Sequence, residues 1–166
     1  MTAPRELCKQ RIESALRECD AHRVRIASCM GHLAPLFPLD VARFSCLGDE
    51  AVAHVDQMLY RFGKMQDAMG RRLFPQLYGW LEADPEPRPF ADILDRLEKW
   101  NVVDAELWRV FRGLRNSVAH DYPEAVTETV AALNVLYREM PCFLGLYEVA
   151  RGFFLRRKEH GGTPSP

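Results

Sequence analysis

The chain is 166 residues long, 48% apolar and 27% charged, the size and composition of one globular domain rather than a disordered or fibrous chain. Lys and Arg number 22 against 23 Asp and Glu, a formal net charge of −1, so no global cationic field recruits nucleic acid or acidic membrane and any anion binding is local. No apolar run reaches the roughly 18 residues of a membrane span, and Met1 to Ile12 alternates charges without an apolar signal core; a cytoplasmic protein is expected.

Five cysteines, Cys8, Cys19, Cys29, Cys46 and Cys142, form no Cys-x-x-Cys pair. Most fall on apolar stripes, which predicts buried free thiols rather than a zinc site or disulfide framework. Apolar spacing of three and four residues predicts a first helix from about Arg5 to Met30 through Cys8, Ile12, Ala15, Leu16, Cys19, Ile26 and Met30. Pro35 and Pro38 place a loop next. A second helix is expected from about Asp49 to Leu81 on Val52, Val55, Leu59, Phe62, Met65, Met69, Leu73, Leu77 and Trp80, kinked or split at Pro75. Pro85, Pro87 and Pro89 mark another joint, followed by a short helix carrying Phe90, Ile93, Leu94 and Leu97. A fourth helix opens near Asp104, a suitable N-cap, and carries Leu107, Val110, Phe111, Leu114 and Val118. The fifth starts at Pro123 with the stripe Val126, Val130, Leu133, Tyr137, Met140, Leu144 and Tyr147, and a kink is expected at Pro141. Val126, Glu128 and Val130 alternate as in a strand, but the helical stripe continues for several turns, so helix wins. The expected fold is an all-α antiparallel bundle of about five helices, one domain over residues 1–158 with a flexible tail over 159–166.

On the second helix Asp56, Tyr60, Gly63, Asp67 and Gly70 recur on one face. Two glycines inside a helix cost roughly 1 kcal/mol each against alanine. Such a face is either closely packed within the chain or a self-association face or cleft wall. The stretch Arg109 to Pro123, R-V-F-R-G-L-R-N-S-V-A-H-D-Y-P, carries the densest chemistry. Arg109, Arg112 and Arg115 cluster near a helix C-terminus, where the dipole favours cations. Arg115 and His120 are five apart and diverge by about 140° on a continuous helix, so they converge only if the helix ends between them or if two chains contribute. Histidine exchanges protons near neutrality, and arginine forks onto phosphate oxygens and stabilises charge developing there. RNA supplies its own 2′-OH nucleophile, so a base and a cation suffice without a metal. His22, His32, His54 and His160 have no spacing to carboxylate or cysteine partners that suggests a metal site, and packing or surface roles are expected.

Arg115-Asn116-x-x-x-His120-x-Tyr122 resembles the R-x4-H-x-Y motif of HEPN-domain proteins, particularly the HepT-like branch. The segment from Asp56 to Gly70, P-F-A-D-I-L-D-R-L-E-K-W and L-R-N-S-V-A-H-D-Y-P are similar to that branch in the same order, across most of Arg43 to Glu124. The resemblance implies a dimer whose two motifs line one cleft, acting as a metal-independent endoribonuclease that leaves a cyclic phosphate on tRNA or mRNA. It also implies a toxin paired with a minimal (MNT-type) nucleotidyltransferase that can adenylylate the motif tyrosine. Carried over, His120 is the acid/base, Arg115 the phosphate and transition-state ligand, Asn116 an orienting donor and Tyr122 the modification site. Asp56, Arg61, Lys64, Asp67, Arg112 and Asp121 are candidates to support the cleft. No cofactor, metal, membrane or DNA partner is expected. Two alternatives stand beside this: a non-catalytic, antitoxin-like partner of a nucleotidyltransferase that binds nucleotide or presents Tyr122, and a structural helical dimer whose Arg-His motif only caps a helix.

Overall fold

A computed structural model describes residues 4–82, 86–118 and 125–159. His120, Asp121, Tyr122 and Pro123, and all but the first residue of the expected tail, lie outside the described residues. Every regular element among the described residues is a helix. In chain order they are α1 (Pro4–Leu33), α2 (Val41–Ser45), α3 (Asp49–Ala68), a π-helical turn (Met69–Leu73), α4 (Phe74–Leu81), α5 (Phe90–Lys99), α6 (Ala105–Val118) and α7 (Val126–Glu159).

Most of the first apolar stripe packs as its spacing predicts, with Cys8 and Met30 only partly buried. Ile12, Ala15, Leu16, Cys19, Ile26, Cys29 and Leu33 are buried, facing α3 and α4. His22 joins them, 8% exposed. α2 was not foreseen. It is a single turn whose start Asp40 caps by accepting the Arg43 amide at 2.7 Å. It is pinned to α7 by Asn134, whose Oδ1 accepts from the Leu39 amide (2.7 Å) and whose Nδ2 donates to the Leu39 carbonyl (2.8 Å).

Pro75 neither splits nor ends the second helix. Proline lacks the N–H of an i→i−4 bond, and its ring collides with the carbonyl four residues back. The chain widens by one residue ahead of it, and the Phe74 amide donates to the Met69 carbonyl, five residues back. α3, the π turn and α4 therefore follow one another without a loop. α7 likewise runs through Pro141, whose position is exposed.

α5 ends in a Schellman motif that the sequence reading did not contain. Asn101 sits in the left-handed region at φ 56°, its amide donates to the Glu98 carbonyl, and the Val102 amide donates to the Leu97 carbonyl. Val102 is buried beneath the turn. Two residues later α6 starts as expected: Asp104 Oδ1 accepts the Leu107 amide at 2.8 Å, and Glu98 Oε1 accepts the Ala105 amide at 3.0 Å.

The centre of the molecule is aromatic. Phe62, Phe111 and Phe143 join α3, α6 and α7 with ring centroids 4.8–6.4 Å apart and edge-to-face planes. The buried Tyr147 hydroxyl ties α7 to α1 by donating to Asp20 Oδ1 at 2.8 Å, and it lies 3.1 Å from the Leu16 carbonyl. Burial and this carboxylate push the Tyr147 hydroxyl well above the usual phenol range, so it stays a neutral donor. The expectation of buried thiols holds for Cys19 and Cys29, while Cys8 is half-buried and Cys46 and Cys142 are exposed; all five are free. Burial pushes the Cys19 thiol up to about 12. No helix among the described residues is long and apolar enough to cross a membrane.

Candidate functional site

The buried face of α6 is rotated from the predicted stripe. Val110 is 52% exposed, whereas Ala105, Trp108 and Phe111 are buried. Trp108 takes the interior place because the π turn offers it a bare backbone. A Cβ built on Gly70 would stand 3.0 Å from Trp108 Cζ2, tighter than nearly all real contacts, so the indole would have to shift. Phe74 (4.9 Å) and Phe90 (6.3 Å) complete an edge-to-face setting for the indole. Gly70 is therefore closely packed against Trp108, and it also forms part of a cavity wall. Gly63 differs: a Cβ there would reach only ordinary contact, 3.7 Å from Arg115 Nε.

Locking α6 at Trp108 carries Arg115, two turns further on, to α3. Its guanidinium forks onto Asp67, Nη1 to Oδ1 at 2.7 Å and Nη2 to Oδ2 at 3.2 Å. Both side chains are about one-third exposed. Donation by Arg115 holds the Asp67 carboxyl below the usual carboxylate range, so it is ionised at neutral pH. The fork uses two of the five guanidinium N–H donors and fixes the plane of the rest.

The Asp67–Arg115 pair forms the shared wall of two cavities. One, of about 300 Å³, is lined by Gln66, Asp67, Gly70, Arg71, Phe90, Trp108, Arg112 and Arg115. The other, of about 260 Å³, lies towards Tyr60, Gly63, Lys64 and Val118. Around the first, both side-chain polar atoms of Gln66 and the Trp108 Nε1–H are buried without a hydrogen-bond partner. Buried polar groups are normally paired, and the same unpaired state occurs at Arg61 Nε, Gln76 Oε1 and Glu82 Oε1, so these buried atoms do not by themselves define a ligand surface. Neither Gln66 nor Trp108 was named from the sequence, because a glutamine on a buried helix face and a tryptophan in an amphipathic helix carry no motif.

Of the sequence candidates, the structure brings Asp67, Arg112 and Arg115 together on one cavity and Lys64 with Asp67 and Arg115 on the other. Asn116 is exposed one residue beyond Arg115. Asp56 lines a separate, mainly apolar groove with Phe44, Leu47, Val52 and Leu133. Arg61 faces α1, its Nη1 3.3 Å from His22 Nδ1. Arg109 reaches α5 and pairs with Asp95 at 3.3 Å. His120, Asp121 and Tyr122 lie outside the described residues. The structure also assembles one group the spacing hid: His32, Glu50 and His54.

His22 is a pH-sensitive point of the fold. Burial, then the Arg61 charge, lower its pKa, against an opposing pull from Glu18 at 3.7 Å. The unfolded chain therefore binds this proton more readily than the folded one. Stability contributed here is complete above the unfolded value of about 6.5 and is lost as pH falls from there through the lowered folded value. The urea midpoint is expected to drop between about pH 7 and pH 5, and His22→Gln to drop measurably less; equal slopes in wild type and variant would refute the assignment.

No protein-family model, no curated protein and no solved structure matches this chain.

Proposed function

We propose that the chain is a HEPN-type endoribonuclease, the toxin of a pair with an MNT-type nucleotidyltransferase. The observation that carries this is the Asp67–Arg115 fork at the mouth of a cavity also lined by Arg71 and Arg112. Three arginines line this cavity against one carboxylate, on a chain with no net excess of positive charge, a local cationic surface of the kind a phosphodiester requires. In this reading Arg115, oriented by Asp67 and assisted by Asn116, holds the phosphate oxygens. His120 takes the proton of the 2′-OH or gives one to the 5′-oxygen. The 2′-oxygen bonds to phosphorus, the P–O5′ bond breaks, and a 2′,3′-cyclic phosphate and a 5′-OH remain. The chain acts as a homodimer that sets the His120 of one subunit near the Arg115 of the other, in the cytoplasm, with Tyr122 open to adenylylation by the partner enzyme.

The test is incubation of total RNA and tRNA with purified protein in EDTA, followed by end-group analysis. Cleavage leaving cyclic phosphate ends in wild type but not in His120→Ala is expected. Absence of cleavage by protein whose Tyr122 is shown by mass spectrometry to be unmodified would overturn the ribonuclease reading.

A second reading is favoured by the mixed aromatic and cationic lining of the cavity beside Arg115, where Phe90 and Trp108 stand with Arg71 and Arg112. A cavity of about 300 Å³ is at the small end of ligand pockets. Phe90 gives the cavity an aromatic face for a base, and Arg71 and Arg112 line it as cations for a phosphate. A non-catalytic module that holds a nucleotide beside a nucleotidyltransferase fits these features. Saturable nucleotide binding by calorimetry, without RNA cleavage, would select it.

A further inference from the structure

Where α1 ends and α3 begins, three side chains meet that the sequence holds well apart. His32 lies in the last turn of α1, and Glu50 and His54 are one turn apart on α3. The imidazoles of His32 and His54 stack with centroids 4.2 Å apart and planes 8° from parallel. His54 Nε2 stands 4.0 Å from Glu50 Oε1, and one ligand atom from each of the three residues falls within 4.8 Å of the others.

We propose that His32, Glu50 and His54 bind a divalent transition-metal cation of the zinc class, with water completing its coordination. Two imidazole nitrogens and one carboxylate oxygen suit Zn²⁺ and its neighbours rather than Mg²⁺ or Ca²⁺, which prefer all-oxygen shells. At bond lengths of about 2.0–2.2 Å, ligand atoms around a tetrahedral ion lie roughly 3.3–3.6 Å apart. The three groups therefore close by about 1 Å, and both imidazoles turn so that their lone pairs point at one centre. The movement opens the His32–His54 stack. The Glu50 side chain is 88% exposed and free to swing onto the ion, while His54 is mostly covered and sits on a rigid helix.

The site is distinct from the Arg115 cavity. His54 and Asp67 are thirteen residues apart on α3, about 20 Å along the helix axis. A metal here acts on the fold, clipping the end of α1 to the start of α3 and closing the connection from Leu33 to Gly48. It supplies nothing to chemistry at Arg115, so the ribonuclease proposal and this one stand or fall separately.

The experiment uses the full chain stripped with EDTA and titrated with ZnCl₂ by calorimetry, with Tm read alongside. One saturable site per chain is expected, with a Tm rise on the order of 5–10 °C at a hundredfold excess over Kd. His32→Ala and His54→Ala, both confirmed folded by circular dichroism without metal, are each expected to weaken binding by about tenfold or more. Co²⁺ is expected to give visible d–d bands without a thiolate charge-transfer band, which separates this site from the exposed Cys46 and Cys142. No saturable binding, binding unchanged in both variants, or a thiolate signature would overturn the proposal.

Discussion

If the proposed ribonuclease activity holds, Arg115→Ala is expected to lower the rate of RNA cleavage by about 10²–10³-fold, the usual loss when one placed donor to a developing oxyanion is removed. The fold is expected to survive. Arg115 and Asp67 are each about one-third exposed, and ion pairs of that kind contribute at most about 1 kcal/mol. The variant leaves Asp67 open to water rather than entombed, so no buried charge is stranded. Arg115→Lys keeps the charge but cannot fork onto the carboxylate, and is expected to recover only part of the rate. Asp67→Asn separates orientation from charge: it keeps a neutral partner for the guanidinium and is expected to cost less than loss of Arg115 itself. The readout is initial cleavage rate on one RNA, beside urea midpoints for every variant. A rate that tracks stability across the series would show that the pair only holds α3 to α6.

The largest expected loss of stability belongs to Trp108→Ala, about 3–5 kcal/mol. The side chain is 1% exposed, packed against Phe74 and Phe90 and against the bare backbone of Gly70. Rigid aromatic neighbours and a helix backbone cannot collapse into the space it leaves. For a chain of this size the Tm is expected to fall by roughly 6–20 °C. Trp108→Phe is expected to cost far less, because the indole N–H lost has no hydrogen-bond partner in the described structure. Chemical denaturation followed by far-ultraviolet circular dichroism measures both. Similar losses for Ala and Phe would mean that the indole nitrogen, not the ring volume, holds α6 in place.

Helix positions were legible because burial follows the 3.6-residue period over long spans. Ile12 to Leu33, Val55 to Leu81 and Val130 to Phe154 carry enough apolar residues that one misplaced side chain does not alter the assignment. α6 has only fourteen residues and two competing stripes, and tertiary packing chose between them. Leu107, Val110 and Leu114 looked as apolar as Trp108 and Phe111, and nothing local reveals that Gly70 would make room for an indole. Arg115 was singled out by its place in an arginine cluster at a helix end and by the motif it resembles, while its pairing with Asp67 across α3 and α6 came from the packing. Its partner Asp67 was named, but among five other candidates of equal weight. The unpaired Gln66 and the meeting of His32 with His54 depend on how helices pair across a connection that carries no periodic signal.

The extra residue in the turn Met69–Leu73 also fixes how the two halves of the long helix are phased. One residue in an α-helix corresponds to about 100° of rotation. Taking it away would restore an unbroken ladder in principle, yet it would turn the face bearing Phe62, Gly63 and Asp67 by more than a quarter revolution against the face bearing Leu77 and Leu81. Both halves lie against α1, so that rotation cannot be shared out along the bundle. The length of this segment is therefore held as tightly as its bare Gly70. Among chains built on this plan, insertions and deletions should gather in the connections after Leu33 and Leu81 and spare the turn Met69–Leu73.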